Sequence, residues 1–480
     1  MKRQWKVNYE EKVDHFKKHK NVRSVLIYGA PNENAFISYV IPVYKRADLL
    51  EKTLDCILKQ QEVAFEWNIV IVDNEAGGIN DTQLLVEKIN SDKIVYYRNE
   101  ENIGVDGNYN RCIEMAQSPW VAMIHGDDLI MDDHLKCSGE YIKYIESLGN
   151  QRQLAYICQR YIDFSCEDGI CLHRENGITE GSRYNYDLQE VYHQGKPQLQ
   201  PREIGVITGY YAAIPSFGTI MNREIMLKEG GFSDTLGICE DVITPFRLAE
   251  KYDVYLAPVY MGFHRFDRNE SMNPEVILKI YEAMIEFRDY MYTTVWWGNV
   301  WKSIARDTLN CSLRNYCIGQ STFCSRILES ADFDGICKVE KPGKVKTRIF
   351  DFWMNLFIRK YDLCNNRSYI SGRVKACQKQ IEDAIKNNKK FLIYGAGMAA
   401  EELIPILKEQ YEGIDIIGCA VSNESLRKKI KGVPISLLDD YGSAASESAV
   451  ITATVTWEYQ LQMNQKLSEK GFDTVINLLT

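Results

Sequence analysis

The chain has 480 residues, of which 45% are hydrophobic and 26% are charged, as in ordinary folded globular proteins. Its length predicts about two to four domains. A formal net charge of −9 disfavours general binding to nucleic acid. No apolar run is long enough to predict a transmembrane helix. The N-terminus is charged and lacks the apolar core of a signal peptide. The 14 cysteines contain no CxxC pair, which predicts reduced thiols in a cytoplasmic protein.

From residue 36 onward, short apolar runs alternate with segments of helical periodicity. We predict strands at 37–44, 68–73, 93–99 and 120–124, with helices between them. Strands that alternate with helices form a mostly parallel sheet with helices on both faces, and such sheets bind ligands outside the carboxyl ends of their strands. The polar residues at those ends are Tyr44, Asp73, Asn74 and Asp127.

The fourth strand ends in WVAMIHGDD, where an apolar run stops at two adjacent acids, Asp127 and Asp128. Adjacent carboxylates repel each other, and Mg²⁺ or Mn²⁺ relieves that repulsion through oxygen ligands. Acids at the start of a helix give the same local pattern, because carboxylates stabilise the positive end of the helix dipole. The local sequence leaves both interpretations open.

Four segments, in this order and spacing, resemble the nucleotide-sugar half of family 2 glycosyltransferases with the GT-A fold. They are VIPVYKRADLLEKTLDCILKQ, IVIVDN, NEENIGVDGNYNRCIEMA and HGDD. The later segment FGTIMNREIMLKEGGFSDTLGICEDVITPFRLA resembles the acceptor half of that family. The resemblance covers residues 36–275. It implies transfer of a sugar from a nucleotide-sugar donor, with UDP-sugars favoured, to a hydroxyl of a glycan, lipid-linked or protein acceptor in bacterial surface-polysaccharide or glycoconjugate (for example capsule) biosynthesis.

The resemblance also implies which residues bind the donor. Pro42 and Tyr44 match the first-strand motif beside the base, and the pair Asp73–Asn74 matches the residues that contact uracil and ribose. The residues that match the turn and helix flanking the diphosphate are Asn102, Gly104, Asn108 and Asn110. The family often has arginine before the position of Asn110, where this chain has Tyr109.

A divalent metal, Mn²⁺ or Mg²⁺, is implied by the same resemblance. Asp127 matches the metal-binding acid of the D-x-D signature, and His125 stands in the place of its first acid. Asp128 and His264 complete the predicted set of ligands, although His264 also fits a purely structural role.

A second acidic pair, Glu240 and Asp241, lies at the predicted start of a helix. Acids there complement the helix dipole, which is the structural interpretation. Glycosyl transfer needs a carboxylate that takes the proton of the attacking hydroxyl, and a positive charge on the departing diphosphate. The resemblance implies that Asp241 is this base, with Glu240 as the second candidate, and that a single displacement inverts the anomeric carbon.

The rest of the chain gives two more predictions. Residues 276–385 lack strand patterns, and their basic, aromatic helices pack within the protein or lie on a membrane surface. From residue 386, KFLIYGAGMAAEELIPIL predicts a strand, a glycine turn and a helix, so Gly395 and Gly397 would bring a ligand to the helix N-terminus. The acid that would hold an NAD ribose is missing after the next strand. This part resembles the nucleotide-sugar-binding domain of bacterial sugar acetyltransferases and is interpreted as a binding module.

The predicted fold class is α/β, with four segments along the chain. They are an N-terminal extension (1–35), a GT-A domain with a mixed sheet (36–275), a helical segment (276–385) and a small Rossmann-like domain (386–480). A non-catalytic nucleotide-sugar sensor or scaffold and a sugar nucleotidyltransferase are the alternatives for function. Peripheral contact with the inner face of a membrane and assembly into a homo-oligomer are left open.

Overall fold

A computed structural model describes most of the chain in two compact units. The residues described are 7–10, 13–164, 197–211, 218–265, 273–323, 343–360, 366–422, 428–453 and 457–478. The first unit ends with the described residues up to 360, and the second begins with those from 366. The predicted α/β fold class, with a large mixed sheet and a smaller C-terminal α/β sheet, is confirmed.

Ten strands build the mixed sheet of the first unit. They are β1 (Ser24–Tyr28), β2 (Ile37–Val43), β3 (Trp67–Asp73), β4 (Ile94–Asn99), β5 (Trp120–Met123), β6 (Leu129–Ile130), β7 (Leu154–Phe164), β8 (Gln198–Leu199), β9 (Thr219–Asn222) and β10 (Asp253–Arg265). Their order is β1-β4-β3-β2-β5-β9-β7-β10-β6, and β8 pairs with β10. The four strands predicted from the sequence, β2 to β5, pair in parallel. They are apolar along almost their whole length because helices cover both faces of the sheet.

Ten helices accompany this sheet in the described part of the first unit. They are α1 (Ala47–Ile57), α2 (Asp81–Ile89), α3 (Gly104–Met115), α4 (His134–Ser147), α5 (Arg202–Thr208), α6 (Arg223–Lys228), α7 (Glu240–Leu248), α8 (Pro274–Met291), α9 (Gly298–Phe323) and α10 (Lys344–Lys360). The predicted helical character of the segment after residue 275 agrees with α8, α9 and α10. Aromatic side chains of α8 and α9, such as Phe287 and Trp301, lie in the same core as the sheet residues Val40 and Val121.

The topology brings the functional segments of the first unit to one edge of the sheet. Because β2, β3, β4 and β5 are parallel, the residues after each of them meet at the same edge. Helix α3 begins a few residues after β4, and a 3₁₀ turn (Asp234–Cys239) leads directly into α7. No described helix combines the length and the apolar character needed to cross a bilayer.

The second unit is a smaller α/β sheet. Its strands are β11 (Lys390–Tyr394), β12 (Ile416–Val421), β13 (Lys429–Ile430), β14 (Val433–Leu437), β15 (Ser448–Thr452) and β16 (Thr474–Asn477), in the order β13-β14-β12-β11-β15-β16. Only β13 pairs antiparallel among these described strands. Its helices are α11 (Asn366–Ala376), α12 (Gln378–Lys386), α13 (Met398–Gln410) and α14 (Trp457–Glu469). Ile370 and Val374 of α11 lie in its core, upstream of residue 386, where the sequence placed the start of this domain.

Candidate active site

Three potential metal ligands meet just after β5. One ligand atom each from His125, Asp127 and Asp128 lies within 4.8 Å of the others. The turn that follows β5 brings these side chains together, since Asp128 N–H donates to the carbonyl of His125. A nitrogen and two carboxylates at the end of a parallel strand form a donor set suited to a divalent first-row metal.

Asp128 is the buried member of this cluster. Its side chain is 0% exposed. Its Oδ1 accepts a hydrogen bond from the backbone N–H of Arg265 at 3.0 Å, but no hydrogen-bond donor among the described residues satisfies its Oδ2. Burial raises the pKa of Asp128 to about 8. A buried carboxylate oxygen without a donor needs a proton or a cation, so this environment fits a bound metal ion.

His125 is oriented by Tyr109. The sequence showed Tyr109 only as a departure from the family pattern and predicted no role for it. The Tyr109 hydroxyl lies 2.7 Å from Nε2 of His125, and Nδ1 lies 3.7 Å from Oδ2 of Asp128. Burial lowers the pKa of His125, which favours the neutral imidazole. If Nε2–H donates to Tyr109, the lone pair of Nδ1 faces Asp128, as a metal ligand requires.

Two arginines surround the acidic cluster. Nη1 of Arg46 lies 3.5 Å from Oδ2 of Asp127, and Nε of Arg265 donates to the carbonyl of Asp127 at 3.0 Å. Arg46 and the preceding Lys45 both have left-handed backbone conformations, with φ of 59° and 62°. Such residues are uncommon and are often found at functional sites. The strained turn before α1 therefore directs a cation toward Asp127.

His264 on β10 lies beside the cluster. Its charge influences the pKa values of His125 and Asp128, so the side chain lies near both. It is not among the three residues whose ligand atoms converge within 4.8 Å. The role of His264 as a ligand stays a prediction, whereas His125, which was not among the predicted ligands, belongs to the converging cluster.

Asp241 is the second residue of α7, and its Oδ1 accepts the backbone N–H of Val242 at 2.9 Å. The side chain is half-buried, and burial raises its pKa to about 6. Burial also raises the pKa of Tyr109, with further contributions from the charges of Asp241 and Asp127. Both carboxylates therefore lie in the electrostatic neighbourhood of the Tyr109 hydroxyl. A carboxyl group with a pKa near 6 is suited to accept a proton at neutral pH.

Glu240 has a different environment from its neighbour. It is buried, and its Oε2 accepts the backbone N–H of Ser233. Burial raises its pKa well above the usual range, and the neighbouring carboxylate of Asp106 raises it further. Its carboxyl group holds the loop before α7, a structural position that leaves the more exposed Asp241 as the better candidate base.

The predicted donor residues at the end of β3 are engaged within the protein. Asp73 is fully buried, and its Oδ2 accepts hydrogen bonds from Tyr96 Oη and Asn80 Nδ2, both at 2.8 Å. Its Oδ1 accepts the backbone N–H of Glu75 at 2.8 Å. The carboxylate thus organises the loop from β3 to α2, whose helix is capped by Asn80. Its predicted contact with uracil or ribose stays a prediction.

Asn74 connects β3 to the turn before α3. Its Nδ2 donates to Asn102 Oδ1 at 2.8 Å and to the carbonyl of Gly104 at 3.0 Å. Its Oδ1 accepts from Asn99 Nδ2 at 3.1 Å and from the backbone N–H of Ile103 at 3.0 Å. The amide is saturated, so an aspartate here would lose both donated hydrogen bonds.

Asn108 and Asn110 on α3 are also used as internal connections. Asn108 Nδ2 donates to the carbonyl of Val72 at 3.0 Å. Asn110 exchanges two hydrogen bonds with the backbone of Phe232, both at 2.8 Å. The preceding Gly231 has φ of +73°, and a Cβ atom there would lie 2.2 Å from Asn110 Oδ1. The glycines of the GGF segment thus permit the contact between this segment and α3.

The two remaining donor-site predictions lie at the end of β2. Pro42 is half-buried within the strand, and Tyr44 just after it is 51% exposed. The Lys45 ammonium lies 5.1 Å from the centre of the Tyr44 ring. An exposed ring at the carboxyl end of a parallel strand is placed where a nucleotide base could stack on it.

In the second unit, the predicted glycine turn connects β11 to α13. Gly395 has φ of +114°, and a Cβ atom there would lie 2.7 Å from the carbonyl oxygen of Ala453. Gly397 directly precedes α13. After β12, the Ser422 hydroxyl lies 2.7 Å from the Tyr394 hydroxyl, at the place where a ribose-binding acid was missing from the sequence. A ligand for this turn stays a prediction.

Comparison with known proteins finds a family model that is similar to part of the first unit. Residues 38–216 match the model of Glycosyl transferase family 2, which is less than half of the chain. The amylovoran biosynthesis glycosyltransferase AmsB of Erwinia amylovora is 30% identical over 25% of this chain and 40% of its own length. The abequosyltransferase RfbV of Salmonella typhimurium is 29% identical over 26% of this chain and 35% of its own length.

A solved structure, S. aureus TarS 1–349 in complex with UDP-GlcNAc, superposes with a TM-score of 0.40 and 14% identity, covering 74% of this chain and 92% of TarS 1–349. The two relatives above are matched over less than half of their own lengths. The match of residues 38–216 to the family 2 model agrees with the family predicted from the sequence motifs.

Proposed function

We propose that the protein is a metal-dependent, inverting glycosyltransferase that moves a sugar from a nucleoside-diphosphate donor to an acceptor hydroxyl. One observation carries this proposal. The cluster His125–Asp127–Asp128 contains a buried carboxylate oxygen without a donor among the described residues, and the charges of Asp127 and of the half-buried Asp241 both act on Tyr109. The family 2 domain match over residues 38–216 supports the same reaction class.

The residues after β5 fit a divalent metal. His125 through Nδ1, and Asp127 and Asp128 through carboxylate oxygens, would hold the ion. When bound, Mn²⁺ or Mg²⁺ would stabilise the negative charge on the departing diphosphate. An imidazole nitrogen in the set favours Mn²⁺ over Mg²⁺, because Mg²⁺ prefers oxygen ligands.

Asp241 acts as the general base. Its carboxylate accepts the proton of the acceptor hydroxyl while that oxygen attacks the anomeric carbon. The bond from the anomeric carbon to the diphosphate oxygen breaks in the same step, and the nucleoside diphosphate leaves. Attack from the side opposite the leaving group inverts the configuration at the anomeric carbon.

Arg46 supports the leaving group. Its guanidinium is partly exposed and lies against Asp127, so a donor diphosphate that reaches the cluster also reaches this cation. Planar guanidinium groups bind phosphate oxygens with paired hydrogen bonds. Tyr44 is the candidate for stacking on the base, and the framework of Asp73 and Asn74 holds the surrounding loops.

UDP-sugars are the first donors to test, and the names of the relatives point to assembly of a bacterial surface polysaccharide. The C-terminal unit would bind a nucleotide, a sugar nucleotide or a partner protein at the Gly395–Gly397 turn, without chemistry of its own. Backbone N–H groups at the start of α13 suit an anionic ligand.

The direct test is a panel of nucleotide sugars, with and without Mn²⁺. Binding is measured by calorimetry, and slow donor hydrolysis by release of the nucleoside diphosphate. We expect Mn²⁺-dependent binding and hydrolysis for at least one donor. Binding without release, even with acceptor extracts added, would support the sensor alternative. Binding that is independent of metal would refute the assignment of the cluster.

A further inference from the structure

Helix α10 is apolar around most of its circumference, although it lies at the surface of the first unit. Its sequence is KVKTRIFDFWMNLFIRK. One face packs on the core: Phe350 stacks on Trp301 with ring centres 5.5 Å apart, and Phe357 meets the same indole edge-on at 5.4 Å. Met354 packs on the same core. A single buried face at i, i+4 and i+7 accounts for these three side chains.

A second apolar stripe of α10 remains exposed. Val345, Ile349, Phe352 and Leu356 follow one another at spacings of three and four residues, and Trp353 lies beside Phe352 with ring centres 5.8 Å apart. The exposed fractions are 72% for Val345, 41% for Ile349, 60% for Phe352, 42% for Trp353 and 40% for Leu356. Helices that are apolar on all sides are normally buried on all sides. An exposed apolar stripe of this kind therefore indicates a surface that binds a partner.

The charge of the helix indicates which kind of partner binds the exposed stripe. The 17 residues of α10 contain five basic residues and one acid, Asp351, in a chain whose net charge is −9. Lys346 and Arg348 are exposed near the start of the helix. Apolar and aromatic side chains combined with lysine and arginine are the composition of helices that lie in the interface of an anionic membrane. A second copy of the same helix would bring like charges together, which disfavours self-association through this stripe.

We propose that the exposed stripe of α10 binds the surface of an anionic lipid bilayer. The helix lies parallel to the membrane, with Phe352, Trp353 and Leu356 inserted at the boundary of headgroups and acyl chains and the exposed Arg348 on the lipid phosphates. The sequence allowed the helix either to pack within the protein or to lie on a membrane. In this arrangement it does both, because one face packs within the protein and the other faces the membrane.

The test is co-sedimentation of the full chain with vesicles of phosphatidylcholine mixed with phosphatidylglycerol, compared with vesicles of phosphatidylcholine alone. We expect binding to the anionic vesicles that weakens as salt is added. Phe352→Gln combined with Leu356→Gln should reduce vesicle affinity by about tenfold or more for each lost apolar side chain. Arg348→Glu should also reduce it, by a smaller factor. The matched control is Leu84→Gln, which removes an exposed leucine of α2 and should leave binding unchanged.

Three outcomes would overturn the proposal. The first would be that the wild-type chain binds neither kind of vesicle, or that it binds both equally and the double variant binds like wild type. The second would be a lower melting temperature of the double variant, which would mean that the protein itself covers the stripe. The third would be a dimer in sedimentation velocity that dissociates in the double variant, which would identify a second copy of the chain as the partner of the stripe. Loss of vesicle binding with an unchanged melting temperature supports the proposal whether or not the transferase activity is found.

Discussion

Two neighbouring regions at the same sheet edge use polar side chains in opposite ways. At the ends of β3 and β4, Asp73, Asn74 and Asn108 are buried, and their hydrogen bonds end on other protein groups. After β5 and at the start of α7, Asp128 has an oxygen without a donor, and Asp241 has a pKa of about 6. We call the first region the amide framework, because its hydrogen bonds fix the loops. We call the second region the acidic site, because its carboxyl groups remain available to a ligand or a substrate.

The difference between the two regions separates residues with a structural role from residues that bind a ligand or take part in a reaction. A buried polar group whose hydrogen bonds are complete contributes stability, whereas an incomplete or strongly perturbed group indicates a ligand or a reaction. Glu240 and Asp241 differ in exposure instead, because Glu240 also has a buried carboxylate oxygen, Oε1, without a hydrogen-bond partner among the described residues. The former is buried on the backbone of Ser233, while the latter keeps partial exposure.

The largest expected effect separates these two acids. Asp241→Asn should retain donor affinity and lose transfer by about two to four orders of magnitude, because a general base contributes that much. Glu240→Gln is the matched control: glutamine keeps an oxygen that accepts the backbone N–H of Ser233, so transfer should stay close to wild type. Initial rates with saturating donor measure both. Normal transfer by Asp241→Asn together with loss in Glu240→Gln would reverse the assignment.

Asp127→Ala tests the acidic site at the metal. The variant should fold normally and lose the metal-dependent part of donor affinity, because one of three converging ligands is removed. Calorimetry with UDP in the presence and absence of Mn²⁺ measures this. Asp55→Ala, which removes an exposed acid of α1 paired with Lys59, is the control and should bind like wild type. Equal Mn²⁺-dependent affinity in the Asp127 variant would move the metal elsewhere.

Substitutions in the amide framework should lower the stability of the protein and not its catalytic rate. Asn110→Ala leaves the backbone N–H and carbonyl of Phe232 without their buried partners, and it should lower the free energy of unfolding by about 2–4 kcal/mol. Asn102→Ala, at an exposed position of the same region, should cost less than about 1 kcal/mol because water replaces the amide. Urea unfolding at neutral pH compares the two. A stable Asn110 variant would contradict the framework interpretation.

The pH dependence of transfer should report Asp241. Its pKa is raised to about 6, and the base is active when deprotonated. The rate should therefore be constant above that pH and fall about tenfold for each pH unit below it. The low-pH decline should be absent from the residual activity of Asp241→Asn. A decline centred near pH 4 in the wild type would indicate an unperturbed carboxyl group as the base.

The smallest effect is expected from the second unit. All residues of the acidic site and of the amide framework belong to the first unit. A chain that ends at residue 361 should therefore keep donor hydrolysis, although use of the natural acceptor or assembly into oligomers could weaken. Circular dichroism and hydrolysis assays on the truncated protein measure this. A folded truncation without hydrolysis would show that the second unit completes the active site.

The sequence by itself determined the sheet and the class of the first unit. The apolar runs of β2 to β5 and the helical periodicity between them gave the parallel strands, because these patterns follow from local geometry and burial. The segment around Asp127, taken with the ordered motifs before it, predicted the family whose model residues 38–216 match. Asp128 and Asp241 were also candidates before their environments were known.

Only the tertiary structure decided what each polar residue at the edge does. Asn110 meets Phe232 across 122 residues, and Arg265 meets Asp128 across 137 residues, so no local pattern could reveal these partners. The pairing of Tyr109 with His125 likewise depends on how α3 packs against β2 and β3 of the sheet. Residue type fixes which hydrogen bonds a side chain is able to make, but the fold sets which partners lie within reach and which oxygen is left without one.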